Sequence, residues 1–150
     1  MVRRTRRPHN KVPEVAIDTS VWSLALRRSP RNLSAVEIGI TQSLLELIRG
    51  GRARLMGIVR QELLSGIRDR PLFEKIRDYV GPFDDPEVQV DDYERAAEMN
   101  NYCRSRGVTG SGIDFLICAV ANRNSWQVFT TDQDFGRYST LLGVELYKSN

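Results

Sequence analysis

Eight residues near the start of the chain, Val15 to Trp22 (VAIDTSVW), constrain the fold more than any others. Val15, Ala16 and Ile17 form an apolar run that stops at an acid. Thr19 and Ser20 then offer helix-capping hydroxyls before apolar residues resume at Val21 and Trp22. This is the pattern of a short buried strand that ends in Asp18 and turns into a helix. In an open parallel sheet the reacting groups collect in the crevice beyond the carboxyl ends of the strands, so Asp18 faces the expected cleft. The competing role for Asp18 is to cap the following helix, the commoner job of an Asp at such a turn. Trp22, at helical spacing from Leu26, reads as core rather than as a base-stacking residue.

The remaining elements follow from periodicity and punctuation. A loop around Ser29 to Asn32 precedes a helical stripe of Val36, Ile40, Leu44, Leu47 and Ile48, which Gly50 and Gly51 terminate. Ala53 to Ile58 is apolar enough for a second strand, and VRQELLSGI continues as a helix with Glu62 about one turn inside. Leu72 to Val80 gives a further helix, GPFDDPE a loop, and Val88 to Val90 a short strand. Asp91 or Asp92 then caps a helix whose apolar side is Tyr93, Ala96, Ala97, Met99 and Cys103. After a Gly107 to Gly112 turn, Ile113 to Val120 is apolar almost all round, as a central buried helix must be. Gln127 to Thr131 is a strand ending in a second acid, Asp132, and Val144 to Tyr147 reads as an edge strand. Strands separated by helices predict an α/β fold: a three-layer sandwich with a mostly parallel central sheet and helices on both faces.

The 150 residues suit one domain, residues 14 to 150, preceded by a basic arm, residues 1 to 13, without periodicity and read as disordered or loosely held. Arg3, Arg4, Arg6, Arg7 and Lys11 put five positive charges in the first eleven residues, so a net charge of +3 becomes −2 over the other 139 residues. The basic balance therefore belongs to the arm, which suits either contact with nucleic acid or plain solvation, and is weak evidence for a basic face on the body. Cys103 and Cys118 lack metal-type spacing and read as reduced thiols of a cytoplasmic protein. The start MVRRTRRPHN leads into no signal-length apolar segment, and the longest apolar run, Phe115 to Ala121, is too short for a bilayer.

Four acids occupy suggestive places: Asp18 and Asp132 after strands, Glu62 early in a helix, and Asp114 at the start of the buried helix. Each also has a structural reading. Glu62 suits the dipole of a helix N-terminus, Ser111 and Asp114 fit a capping box, and Asp132 and Asp134 fit a turn. Together they are harder to dismiss, because crowded carboxylates repel and a divalent cation resolves the conflict. An oxygen-only donor set suits Mg²⁺ or Mn²⁺ rather than zinc. The sole histidine, His9, lies in the arm, which excludes Ser-His-Asp and Cys-His devices in the folded body. There is no phosphate-cradling G-x-x-x-x-G-K-[ST], and the glycines of GVTGSGID follow no strand in the dinucleotide-binding pattern.

The series IDTSVW at 17 to 22, RQELLSG at 60 to 66, GIDFLICAVA at 112 to 121 and FTTDQDF at 129 to 135 resembles the PIN-domain ribonucleases, and among them the VapC toxins of toxin-antitoxin pairs. The similarity covers about residues 14 to 147. By position, Asp18, Glu62, Asp114 and Asp132 match the family's acidic quartet, with Asp134 a nearby additional acid. Thr19, Ser20 and Thr130 match its hydroxyls. The resemblance implies Mg²⁺ or Mn²⁺ as cofactor, cleavage of structured RNA, a homodimer and a small cognate antitoxin as partner. Arg60, Arg68 and Arg70 flank Glu62 and are candidates for holding the RNA backbone. The arm precedes the point where such proteins usually begin, and Phe115 is bulky where a small residue often follows the third acid. Two other readings compete: a haloacid-dehalogenase-like phosphatase, which wants an Asp where Ser20 stands, and a non-catalytic nucleic-acid-binding or interaction module.

Overall fold

The computed structural model describes residues 12–149; residues 1–11 of the basic arm, read as disordered or loosely held, lie outside the described residues. Three parallel strands form the sheet: β1 (Val15–Ile17), β2 (Ala53–Arg54) and β3 (Gln127–Phe129), in the order β2-β1-β3. Val15 pairs with both Ala53 and Gln127, and Ile17 pairs with Phe129. Central β1 is fully buried, which explains an apolar run without alternation: a parallel strand covered on both faces has no solvent side. Because all pairings are parallel, the chain leaves β1 and β3 at the same end of the sheet.

Seven α-helices complete the described fold: α1 (Thr19–Leu26), α2 (Ala35–Arg49), α3 (Gly57–Leu64), α4 (Arg70–Val80), α5 (Val90–Ser105), α6 (Gly112–Asn124) and α7 (Asp134–Leu142). No helix among the described residues is long and apolar enough to cross a membrane. Ser34 caps α2 in a reciprocal capping box with Glu37, and Gly51, at φ +67°, makes the left-handed turn that takes the chain from α2 into β2. α6 is the central helix expected from its composition, with Phe115 through Ala121 buried. Trp22 is fully buried and meets Phe83 edge-on, with ring centroids 5.3 Å apart, so it serves the core and not a nucleobase.

Four expectations are corrected. The apolar stretch after Ala53 pairs for only two residues. Leu55 and Met56 are buried but leave the sheet, because α3 begins at Gly57, whose N–H is met by the Asp85 carboxylate at 2.8 Å. Residues 88–90 form no strand: Gln89 caps α5 and Val90 is its first residue, while the Asp92 side chain accepts from the Gln89 N–H. Residues 144–147 contribute a single parallel bridge, Val128 to Leu146. Finally, Val36, Tyr93 and Ala97 are exposed, so the buried sides of α2 and α5 are narrower than the sequence stripes suggest.

The α5–α6 pair is bolted by charge. Asp92, 2% exposed, accepts from Arg123 Nε at 2.8 Å and Nη2 at 2.9 Å, and Arg123 also donates to the Glu87 carbonyl. The guanidinium holds the Asp92 carboxyl below its usual range. Arg123→Ala strands a buried carboxylate. With the Arg side chain one third open to water, the expected cost is about 2 kcal/mol, a melting temperature lower by about 6 °C in calorimetry at neutral pH.

Candidate active site

Asp18 stands at the N-cap position of α1, yet its side chain makes no cap hydrogen bond. The carboxylate is instead gripped by two hydroxyls, one from α1 itself and one from the residue after β3. Ser20 Oγ and Thr130 Oγ1 each donate to Asp18 Oδ2 at 2.8 Å. Both hydroxyls are themselves oriented: Thr131 N–H donates to Ser20 Oγ at 3.1 Å and Asp132 N–H to Thr130 Oγ1 at 3.0 Å. With both protons spent on one oxygen, Asp18 is fixed in orientation while Oδ1 takes no hydrogen bond from the described residues. This follows from parallel pairing, since β1 and β3 deliver Asp18 and Thr130 side by side.

Asp114 enters on the first turn of α6, where Ser111 caps the helix by accepting from the Asp114 N–H at 3.1 Å. Its carboxyl is pushed up to about 6, first by burial, then by the negative charge of Asp18 and, less, of Asp132; hydrogen bonding from Ser111 pulls the other way. Asp132 is exposed at the turn into α7 and its Oδ1 accepts from the Asp134 N–H at 2.9 Å. Burial and the charges of Asp114, Asp134 and Asp132 also raise the Tyr138 phenol to about 12. The Cys118 thiol reaches about 12, through burial and then Asp114, Cys103 and Asp18. Burial and negative surroundings thus favour the protonated thiol over the reactive thiolate.

Asp18, Asp114 and Asp132 thus share one electrostatic neighbourhood with Asp134 at its edge. Glu62 does not join it: it lies on the exposed side of α3, outside the charges that act on Asp114, and makes no hydrogen bond or ion pair among the described residues. Thr19 is buried and its hydroxyl unpartnered, so only Ser20 and Thr130 of the three expected hydroxyls hold Asp18. Arg60 is also placed differently from expectation. Its guanidinium donates to the Val80 and Phe83 carbonyls at 2.8 Å each, closing the end of α4, and is not free for a phosphate. Arg70 pairs with Glu74. Arg68 is exposed and makes no hydrogen bond or ion pair among the described residues.

No three of the described carboxylates, thiols or imidazoles form a ready metal cage. The donor chemistry nevertheless fits a hard divalent ion: carboxylate and hydroxyl oxygens, one carboxylate oriented with an open oxygen, and negative charge that burial leaves unneutralised. The stability consequence has a definite sign. Asp114 in the fold keeps its proton between pH 4 and 6, where the unfolded chain has lost it, so its ionisation destabilises the fold as pH rises through that window and fully above about 6. In EDTA, the melting temperature of Asp114→Asn relative to wild type therefore rises from pH 4 to 6 and then levels off. A difference independent of pH contradicts the crowding of Asp114.

The sequence model of the PIN domain matches residues 15–141. No curated protein sequence matches the chain at a significant level. Among solved structures, FitAcB from Neisseria gonorrhoeae is similar at a TM-score of 0.70 and 19% identity, over 89% of this chain and 96% of that one. VapBC2 from Rickettsia felis, bound to a DNA fragment from its promoter, matches at 0.67 and 14%, over 91% and 98%. A toxin-antitoxin complex from Klebsiella pneumoniae matches at 0.62 and 16%, over 91% and 100%. At these identities the structures establish a shared fold, and the domain match, spanning the sheet and all the clustered acids, establishes that the chain belongs to the PIN domain family, a family of nucleases.

Proposed function

We propose that the chain is a Mg²⁺- or Mn²⁺-dependent endoribonuclease and the toxin of a toxin-antitoxin pair. The observation that carries this reading is Asp18, held by two hydroxyls through one oxygen, with the other oxygen open and two further aspartates around it. Asp18, Asp114 and Asp132 would hold the ion, with Asp134 beside them as a further oxygen donor; Glu62, outside that cluster, enters this reading by its match to the family's acidic quartet. Bound there, a divalent ion makes water more acidic and neutralises charge on the phosphate.

The chain's own groups do the rest. Ser20 and Thr130 keep Asp18 from rotating, and Asp114, buried and crowded by Asp18 and Asp132, gains most from a positive ion that relieves the repulsion. Glu62, exposed and unpaired, is suited to orient the attacking water. Attack of that water on phosphorus breaks the P–O3′ bond, leaving a 5′-phosphate and a 3′-hydroxyl, the water's proton passing to a carboxylate and the leaving oxygen being protonated from solvent. Arg68, exposed and without a hydrogen bond or ion pair among the described residues, is the one of the three flanking arginines left to meet an RNA backbone.

Protein partners have surfaces to use. An apolar groove of about 730 Å³ between α5 and α6 is floored by Ala96, Ile113, Phe115 and Leu116. On α2, Val36, Ile38 and Leu45 are exposed. Such surfaces suit a small antitoxin and a second copy of the chain, and the likeness to structures described as toxin-antitoxin assemblies supports the same reading. The thiols are free and buried, in keeping with a reducing cytoplasm. The phosphatase alternative falls with the family assignment and with Ser20, which spends its hydroxyl on Asp18.

The direct test incubates wild type, Asp114→Asn and Thr130→Val with a pool of structured RNAs in Mn²⁺ or EDTA and maps new ends. Discrete wild-type cuts bearing 5′-phosphates, absent in EDTA, are expected. Asp114→Asn should lose at least about 100-fold, and Thr130→Val about 10-fold. Equal cutting by Asp114→Asn overturns the site. RNA binding without cutting by wild type favours an interaction module instead.

A further inference from the structure

We infer that Tyr138 is a positioning residue for the acid cluster, fixing where Asp114 stands relative to the Asp132 turn; this rests on the metal-nuclease reading above. Asp114 and Asp132 come from different elements. Asp114 sits in the first turn of α6, directly after the turn of residues 107–111, and Asp132 in the turn of residues 130–133 before α7. Nothing in either turn ties it to the other: the hydrogen bonds of Ser111 stay within α6 and those of Asp132 within its own turn.

Tyr138 makes the missing link. It rises from α7, is 1% exposed, and packs its ring against Phe115 at 5.0 Å and Phe135 at 5.2 Å between centroids. Phe115 is the residue after Asp114, and Phe135 the residue after Asp134. The Tyr138 hydroxyl then reaches past the rings and donates to the Thr109 carbonyl at 3.3 Å, in the turn that leads to Ser111. One side chain therefore touches both acid-bearing segments and the loop behind one of them. The loop is shaped to receive it: a Cβ on Gly110 would lie 2.8 Å from Tyr138 Cζ and 2.9 Å from Phe115 Cε2, closer than side-chain atoms approach, so only glycine lets the chain pass over the ring. Phe115, bulky at a position where a small residue is common in the resemblance, thereby gains a purpose as the α6 half of this aromatic bridge. Separation between the carboxylates decides how well they share one ion, so loosening the bridge weakens metal binding before it weakens the fold.

The test titrates Mn²⁺ into wild type, Tyr138→Phe and Gly110→Ala, following free Mn²⁺ by electron paramagnetic resonance, and records melting in EDTA. Ile76→Val on α4, a buried change of similar cost distant in sequence from the acids, controls for general loosening. Tyr138→Phe should raise the half-saturating Mn²⁺ concentration about 10-fold while lowering the EDTA melting temperature by only about 3 °C, and Gly110→Ala should weaken Mn²⁺ binding at least as much. Ile76→Val should leave Mn²⁺ binding unchanged. Unchanged Mn²⁺ binding in Tyr138→Phe, or an equal loss in Ile76→Val, overturns the positioning role and leaves the metal site standing. Failure of wild type to bind Mn²⁺ overturns the metal reading itself.

Discussion

The structure depends on keeping several carboxylates close together without neutralising them. An arginine beside Asp18 would hold it at least as firmly as two hydroxyls, and this chain makes that bond elsewhere, between Arg123 and Asp92. There the carboxylate is finished chemically, buried and paired. At Asp18 the fold uses Ser20 and Thr130, which orient the charge and leave it intact. Dipoles that position without titrating preserve negative potential for a ligand to satisfy. The contrast between these two aspartates, both buried and both hydrogen-bonded twice or more, separates an acid neutralised by its partner from one merely oriented, a distinction burial does not make.

Parallel topology makes the arrangement possible. Three strands of three residues or fewer are a small sheet, but they point the same way, so each chain exit at one end adds side chains to the same crevice. Asp18 follows β1 directly and Thr130 follows β3 directly, so their meeting requires no long excursion. Asp114 arrives from the opposite direction, on the N-terminal turn of α6 just before that helix returns the chain to β3. Its carboxylate is thus on a helix start, where the dipole favours anions, while neighbouring carboxylates oppose it. Burial and like charge raise the carboxyl by more than the hydrogen bonding of Ser111 lowers it.

Much of this was legible in the chain itself. An apolar triplet ending in Asp18, a helix apolar all round at 113–120, and Gly50 and Gly51 at the far end of α2 are local signals, and local physics decided them. The misread segments are those settled by distant residues. ARLMGI is as apolar as a strand should be, but whether Leu55 pairs or turns depends on Asp85 meeting the Gly57 N–H from 28 residues away. Residues 88–90 have strand-like valines, yet Gln89 and Asp92 close a capping box and the helix starts early. The hydroxyl grip on Asp18 joins positions 110 or more residues apart in one of its halves, and no spacing rule reaches that far. Glu62 shows the same gap from the other side, since its place in a motif says nothing about the direction α3 turns it.

Structural and chemical duties also proved compatible where the sequence set them as rivals. Ser111 does cap α6, and the capped residue is the Asp114 whose ionisation the cluster controls. Asp132 does build a turn through Asp134, and its backbone N–H orients the Thr130 hydroxyl that holds Asp18. Only at Asp18 did the alternatives exclude each other, because a carboxylate bonded to Ser20 and Thr130 has turned away from the N–H groups of α1. A cap hydrogen bond contributes about 1 kcal/mol to a helix. The chain forgoes it at the most buried of its clustered acids and satisfies the same carboxylate with two hydroxyls, Ser20 of α1 and Thr130 beyond β3. That forfeited local stabilisation is the strongest physical sign that this end of the sheet is built for a ligand.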